Sequence, residues 1–224
     1  MQPARESPIP STTLPLHAAG VALVGDLTVP SEPTGTIVFA HGSGSGRTSP
    51  RNRAVAGSLV NDGFATLLFD LLTRDEEIAE RDTRHLRFDI PLLAGRLIGA
   101  VEWVRRLDEL ARLPIGLFGA STGAAAALIA ATRTEIDAVV SRGGRPDLAG
   151  DALRDVRCPS LFIVGGADLE VLDLNRWAMQ RMTEAIVELH VVPRAEHLFE
   201  EPGALREVTD VASRWFQQYL AARG

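Results

Sequence analysis

Apolar residues dominate short runs near residues 36–41, 65–70, 114–119, 137–142, 159–165 and 186–192, separated by longer stretches in which they recur every three or four positions. The runs predict strands. The stretches near 51–62, 88–112, 121–133, 172–183 and 203–222 predict helices. Strands without in/out alternation, set between amphipathic helices, are buried on both faces, which predicts a mostly parallel sheet with helices on either side. Residues 14–29 read as a hairpin turning near Ala19-Gly20, adding antiparallel pairing at one edge. Nothing repeats and no linker divides the chain, so residues 1–224 read as a single α/β domain.

The richest segment is 114–128, PIGLFGASTGAAAAL, where an apolar strand runs into Gly119-Ala120-Ser121-Thr122-Gly123 and then into an alanine-rich helix. This is the layout of a nucleophile elbow. Glycines two before and two after the serine remove side chains that would clash where strand turns sharply into helix, leaving the hydroxyl exposed at the carboxyl edge of the sheet. A serine in this place can instead be an ordinary helix N-cap. The elbow reading, unlike the cap, requires an acid and then a histidine later in the chain, each on a loop after a strand.

Both are present. Gly165-Gly166 opens the loop after the strand near 159–165 and carries Asp168, and His197 lies on the loop between the strand near 186–192 and the last helix. Asp147, after the preceding strand, is the best substitute for Asp168, while Glu200 and Glu201 read as solvated or as part of the following helix. Among the other histidines, His190 lies within a strand, His17 within the hairpin and His85 in a charged segment. His41 ends a strand before Ser121 and reads as shaping the turn that follows it.

That turn is Gly42-Ser43-Gly44-Ser45-Gly46, whose glycines let backbone N–H groups approach a developing oxyanion. The expected donors are the N–H of Thr122 and one from Gly42 or Ser43. A glycine loop after a strand, with Asp70 closing the next strand, is also how a dinucleotide site begins. Here the spacing is G-x-G-x-G, and the glycine that would open a helix beneath a pyrophosphate is missing.

Composition narrows the function further. All 23 basic residues are arginine, which excludes a phosphate-loop lysine and a lysine Schiff base. A net charge of −6 without a basic run argues against nucleic acid. One cysteine, Cys158, forms neither an internal disulfide nor a zinc cluster and reads as a reduced structural thiol. The proline-punctuated N-terminus lacks the apolar core of a signal peptide and no stretch reaches membrane-span length, so a cytoplasmic location is expected, with no membrane partner. No metal or organic cofactor is expected, and a homodimer stays open.

With nucleophile, acid, histidine and glycine loop at strand ends, the chain resembles the α/β-hydrolase superfamily over essentially its whole length. Within it, the chain is similar to the small lid-less dienelactone hydrolase-like branch, including relatives fused to phosphoribosyltransferase domains. HGSGSGRTSPRNR (41–53), LLFDLLTRDEE (67–77), RFDIPLLAGRL (87–97), GASTGAAAAL (119–128) and SRGGRPDLAG (141–150) carry that likeness. The resemblance implies Ser121 as nucleophile, Asp168 as acid, His197 as base and a small ester as substrate. True dienelactone hydrolases carry cysteine at the elbow, so their substrate is not inherited. Two alternatives stand beside this reading: a hydrolase fold kept as a binding or scaffold protein, and a nucleotide-binding α/β protein using the 42–46 loop.

Only about sixteen residues separate the strand ending near Arg142 from the next, too few for an independent cap, so an open site is expected. Two features could bias its specificity. One is the charged excursion 72–89. The other is the pair Arg142 and Arg145 beside Gly143-Gly144, which could bind a carboxylate or phosphate or be tied up by Asp147 or Asp151.

Overall fold

The computed structural model describes residues 9–220. Residues 1–8, the start of the proline-punctuated stretch, and 221–222, the end of the last predicted helix, lie outside them.

Eight strands form one sheet in the order β1-β2-β4-β3-β5-β6-β7-β8. β1 (Thr12–Ala18) and β2 (Val21–Thr28) are the hairpin, and β2 pairs antiparallel with β4 (Phe64–Phe69). β3 (Gly35–Ala40), β4, β5 (Ile115–Ala120), β6 (Ala138–Arg142), β7 (Ser160–Gly165) and β8 (Val187–Val192) run parallel. The expected strands are therefore present with ends shifted by only a residue or so, and their carboxyl ends share one edge.

The two-residue period of a strand sorts each inner strand between two cores. Val38 and Ala40 join Leu67, Leu117, Leu128 and Phe162 in one cluster, whereas Ile37 and Phe39 join Leu59, Phe118, Ile163 and Phe216 in the other. α3 (Ile90–Val104) and α4 (Thr122–Ala131) cover the first face; α1 (Pro50–Asn61) and α6 (Ala204–Tyr219) cover the second. α5 (Leu169–Met179) follows β7.

The charged excursion is more ordered than its composition suggests. Residues 74–83 form a helix, α2 (Arg74–Thr83), followed by a short 3-10 turn, Leu86–Phe88. A capping box starts α2: Glu76 N–H donates to Thr73 Oγ1 at 3.2 Å and Thr73 N–H donates to Glu76 Oε2 at 2.7 Å. Arg96, buried on α3, ties this helix to the hairpin, donating to Glu76 Oε1 at 2.8 Å and to the carbonyls of Ala18 and Ala19.

Two boundaries also differ from expectation. The helix predicted over 88–112 starts at Ile90, because Asp89 accepts the N–H of Leu92, and stops at Val104. Beyond it the chain descends through i to i+3 turns, Leu107 to Val104, Leu110 to Leu107 and Leu113 to Leu110, which return it to the start of β5. The segment after β6 holds 3-10 turns over Pro146–Asp155, reversing at Gly150, and builds no cap domain. Among the described residues no helix is long and apolar enough to cross a membrane. Cys158 is free and buried, and burial pushes its thiol up to about 11, so it stays protonated and inert.

Candidate active site

Ser121 stands between β5 and α4 with φ 51° and ψ −121°. A non-glycine residue held there carries about 1–3 kcal/mol of strain, which the surrounding hydrogen bonds must offset. Its N–H donates to the carbonyl of Arg142 at 3.2 Å, and its carbonyl accepts from Arg145 at 3.0 Å and Ala124 at 3.1 Å. Its side chain makes no capping bond, so the N-cap alternative does not describe it.

The flanking glycines are sterically required. A β-carbon on Gly119 would come within 2.5 Å of Ala124 Cα, and one on Gly123 within 2.2 Å of the Ala40 carbonyl oxygen. Gly42 is pressed against the serine itself, since a β-carbon there would lie 2.9 Å from Ser121 Cβ. The backbone of Gly42 and Ser43 therefore borders the serine on one side. The N–H of Thr122, at the first position of α4, has no partner within its helix.

His197 Nδ1 lies 2.7 Å from Asp168 Oδ2. Both sit on loops that are joined to each other: Ala167 N–H donates to the Ala195 carbonyl at 2.9 Å, and Gly165 packs so closely on the carbonyl oxygens of Ala195 and Glu196 that no side chain would fit. Two residues of the histidine loop, Arg194 and Phe199, hold left-handed φ values of 63° and 56°. Gly143, at φ 49°, completes the ring of contacts, because a β-carbon on it would stand 3.1 Å from the His197 carbonyl oxygen and 3.5 Å from its ring Cε1. The loop after β6 thus touches both Ser121 and His197.

The remaining acids are engaged elsewhere. Asp147 takes Arg145 through two bonds of 2.8 Å. Glu200 pairs with Arg51 at 3.0 Å, and Glu201 accepts the N–H of Glu196. Asp70, the residue a dinucleotide reading would assign to a ribose, instead accepts Arg47 N–H at 2.8 Å and pairs with Arg47 Nε at 3.2 Å. Of the two arginines singled out from the sequence, Arg145 is tied to Asp147, while Arg142 is buried and its Nη1 has no hydrogen-bond partner among the described residues.

His41 has a structural task that its position only hinted at. Nε2 accepts the N–H of Leu71 at 3.0 Å, which leaves the proton on Nδ1, donated to the Gly42 carbonyl at 2.9 Å. Burial pulls the ring below the usual histidine range. A neutral imidazole therefore bridges the loops after β3 and β4. Gly143 meets His197 only through the fold, and no local pattern in the sequence announces that contact.

A cavity of about 240 Å³ opens beside the glycine loop, lined by Gly42, Ser43 and Thr122 and by Leu71, Leu72 and Leu93. Glu77, Arg81 and Arg87 line it from α2 and the turn after it. The charged excursion is thus a wall of the candidate site. Among the described residues no three His, Cys, Asp or Glu side chains gather as a metal site would require.

Comparison with known proteins agrees with this fold. A crystal structure of a dienelactone hydrolase from Anabaena variabilis is 50% identical, covers 96% of this chain and 100% of its own, and superposes with a TM-score of 0.92. Est1E from Butyrivibrio proteoclasticus, 16% identical over 93% of this chain and 99% of its own, shares the fold with a TM-score of 0.77. A Mycobacterium tuberculosis protein with the provisional name phosphoribosyl transferase is 52% identical over 99% of this chain, which spans only 49% of that protein's length. Residues 33–215 match the family described as the alpha/beta hydrolase domain, and the chain belongs to that family, in its dienelactone hydrolase-like branch.

Proposed function

We propose that this hydrolase cleaves a small carboxylic ester through an acyl-enzyme formed on Ser121. The observation that carries the reading is the 2.7 Å pairing of His197 Nδ1 with Asp168, on a loop that packs against Gly143, part of the segment whose Arg142 and Arg145 hold the backbone of the strained Ser121. A carboxylate at Nδ1 holds the proton there and leaves Nε2 free to take the serine's proton as Oγ attacks the ester carbonyl. The tetrahedral oxyanion is then met by the N–H of Thr122 and one from Gly42 or Ser43, and His197 returns the proton to the departing alcohol. Water clears the acyl group by the same route in reverse.

Support for an ester rather than a larger acyl donor comes from the cavity beside the glycine loop, which at about 240 Å³ is below the roughly 300–1,000 Å³ typical of pockets for drug-sized ligands. The provisional name of the mycobacterial relative is not carried over. It belongs to a protein of about twice this length, whereas the groups gathered here suit acyl transfer.

The test is covalent labelling with a fluorophosphonate probe, read by mass spectrometry, alongside hydrolysis of p-nitrophenyl acetate. Modification of Ser121 and its loss in Ser121→Ala are expected. An unlabelled serine with no turnover would favour a binding or scaffold role on the same fold.

A further inference from the structure

The glycine loop is tied at both ends to the two residues that follow β4. At its start, His41 links the Gly42 carbonyl to the N–H of Leu71. At its far end, Arg47 holds the residue before Leu71: its N–H donates to Asp70 Oδ1 at 2.8 Å, and its Nε lies 3.2 Å from Asp70 Oδ2, an ion-pair contact. The same guanidinium reaches β2. There Nη1 donates to Asp26 Oδ2 at 3.0 Å and to Oδ1 at 3.3 Å.

Asp26 is built to receive it. The residue is buried and also accepts Thr13 Oγ1 at 2.7 Å and Arg53 Nη2 at 3.0 Å. Burial pushes its carboxyl up, but the bonds from Thr13 and Arg53 and the charge of Arg47 outweigh that and hold it below the usual carboxylate range. Arg47 is thus gripped by two acids from different strands.

A partly exposed ion pair adds little net stability, so the value of this clamp lies in the geometry it fixes. The loop needs fixing. Three of its five residues are glycine, which gives the backbone little stiffness of its own. Gly42, Ser43, Gly44 and Ser45 all line the cavity beside Ser121, and Arg47 does not, so Arg47 can reach the chemistry only through them. Gly46, next to Arg47, presses on the same carboxylate, since a β-carbon there would stand 2.9 Å from Asp70 Oδ1. An oxyanion donor is useful only within a few tenths of an ångström of its place.

We infer that Arg47, clamped between Asp26 and Asp70, is a positioning residue that holds the glycine-loop N–H of Gly42 or Ser43 where the oxyanion forms, an inference that rests on the hydrolase reading of Ser121.

The experiment measures p-nitrophenyl acetate hydrolysis and inhibition by a trifluoromethyl ketone, which forms a tetrahedral adduct on an active serine, in wild type, Arg47→Gln, Arg47→Lys and Arg53→Gln. In Arg47→Gln, kcat should fall about thirtyfold with KM changed by less than about twofold, below the full loss of one oxyanion donor because the loop is loosened and not removed. The affinity of the ketone should fall by the same factor. Arg47→Lys should recover part of both, because a single ammonium cannot span two carboxylates as a guanidinium does. Arg53→Gln removes another partner of Asp26 without touching the loop and should keep wild-type kcat. A purely structural Arg47 would lower the melting temperature and leave kcat of the folded enzyme and ketone affinity as in wild type. That result overturns the inference, as does a loss of kcat with ketone binding intact, or an equal loss in Arg53→Gln. Where Arg47→Gln does not fold, Arg47→Lys is read in the same way, with wild-type kcat and ketone affinity counting against the clamp. Failure of the hydrolase reading looks different: wild type itself would neither label at Ser121 nor cleave the ester, and both inferences would fall together.

Discussion

A β-carbon on Gly123 would stand 2.2 Å from the carbonyl oxygen of Ala40, so the first turn of the elbow helix is seated directly on the end of β3. That contact brings the candidate nucleophile against the glycine loop. Gly123→Ala is expected to destabilise the protein by about 3 kcal/mol or more, because backbone faces backbone and no flexible side chain can yield. Gly57, on the exposed side of α1, has nothing within 4 Å of its would-be β-carbon. Gly57→Ala should therefore stabilise by roughly 0.5–1 kcal/mol through helix propensity and a less flexible unfolded chain. Urea unfolding of the two variants checks both signs at once.

The strain at Ser121 predicts a separation of stability from activity. Ser121→Gly relieves a left-handed φ of 51° and should gain about 1 kcal/mol, while esterase turnover falls by at least about a thousandfold. Ser121→Ala should lose the same activity without the gain, since alanine keeps the β-carbon. Denaturation midpoints and p-nitrophenyl acetate rates on the three proteins decide it, and equal stability of the glycine and serine forms would mean the elbow is not strained.

Asp168 and Asp147 are distinguished by what they touch. Asp168→Asn replaces the acceptor at His197 Nδ1 with a group that can favour the wrong imidazole tautomer, and kcat should drop by roughly 10³–10⁴. Asp147→Asn removes only the partner of Arg145 and should lower kcat by less than about tenfold, in line with a partly exposed ion pair. The reverse ranking in steady-state kinetics would move the acid to the loop after β6.

Much of this arrangement was legible in the sequence, for reasons that particular residues make plain. The inner strands are buried on both faces, so runs such as Thr36 to Ala40 and Ile115 to Phe118 contain nothing but residues a core accepts. Ser121 and Asp168 could be picked out because each follows such a run, and His197 because it follows the edge strand β8; parallel pairing carries those strand ends to one edge. What stayed hidden depends on contacts between distant residues. α2 buries Glu80 alone, so it has no apolar stripe to read, and its one local sign was the Thr73-x-x-Glu76 capping pattern. Its attachment through Arg96 and its place as a cavity wall are tertiary facts. The same holds for the choice between Arg142 and Arg145: both flank the same glycines, and only folding pairs one of them with Asp147.

The bridge made by His41 carries a pH dependence whose sign can be worked out. Its folded pKa lies below the ordinary histidine value of about 6.5 because the ring is buried. As pH falls below about 6.5 the unfolded chain takes up the proton first, so stability present above that pH is lost on the way down to the folded pKa, at up to about 1.4 kcal/mol per pH unit. His41→Gln removes the titrating group. Urea titrations between pH 8 and pH 5 should show a shallower acid loss in this variant than in wild type. Parallel curves would mean that His41 does not titrate differently in the two states.

The wall formed by α2 sets the last expectation, which concerns acyl length. The cavity beside the glycine loop holds about 240 Å³ and is lined by Leu71, Leu72 and Leu93 together with the charged Glu77, Arg81 and Arg87. A short acyl group fits against the leucines. A long one would have to pass the charged side chains or lie in solvent, and either path costs the burial that normally drives lipid binding, about 0.8 kcal/mol per methylene. Across p-nitrophenyl esters from acetate to palmitate, kcat/KM should be highest at two to four carbons, by rough estimate, and fall steeply beyond. Replacing Arg81 by leucine should lengthen the acyl group accepted by enlarging the apolar part of the wall. A preference for palmitate in the wild type would show that α2 does not bound the acyl site.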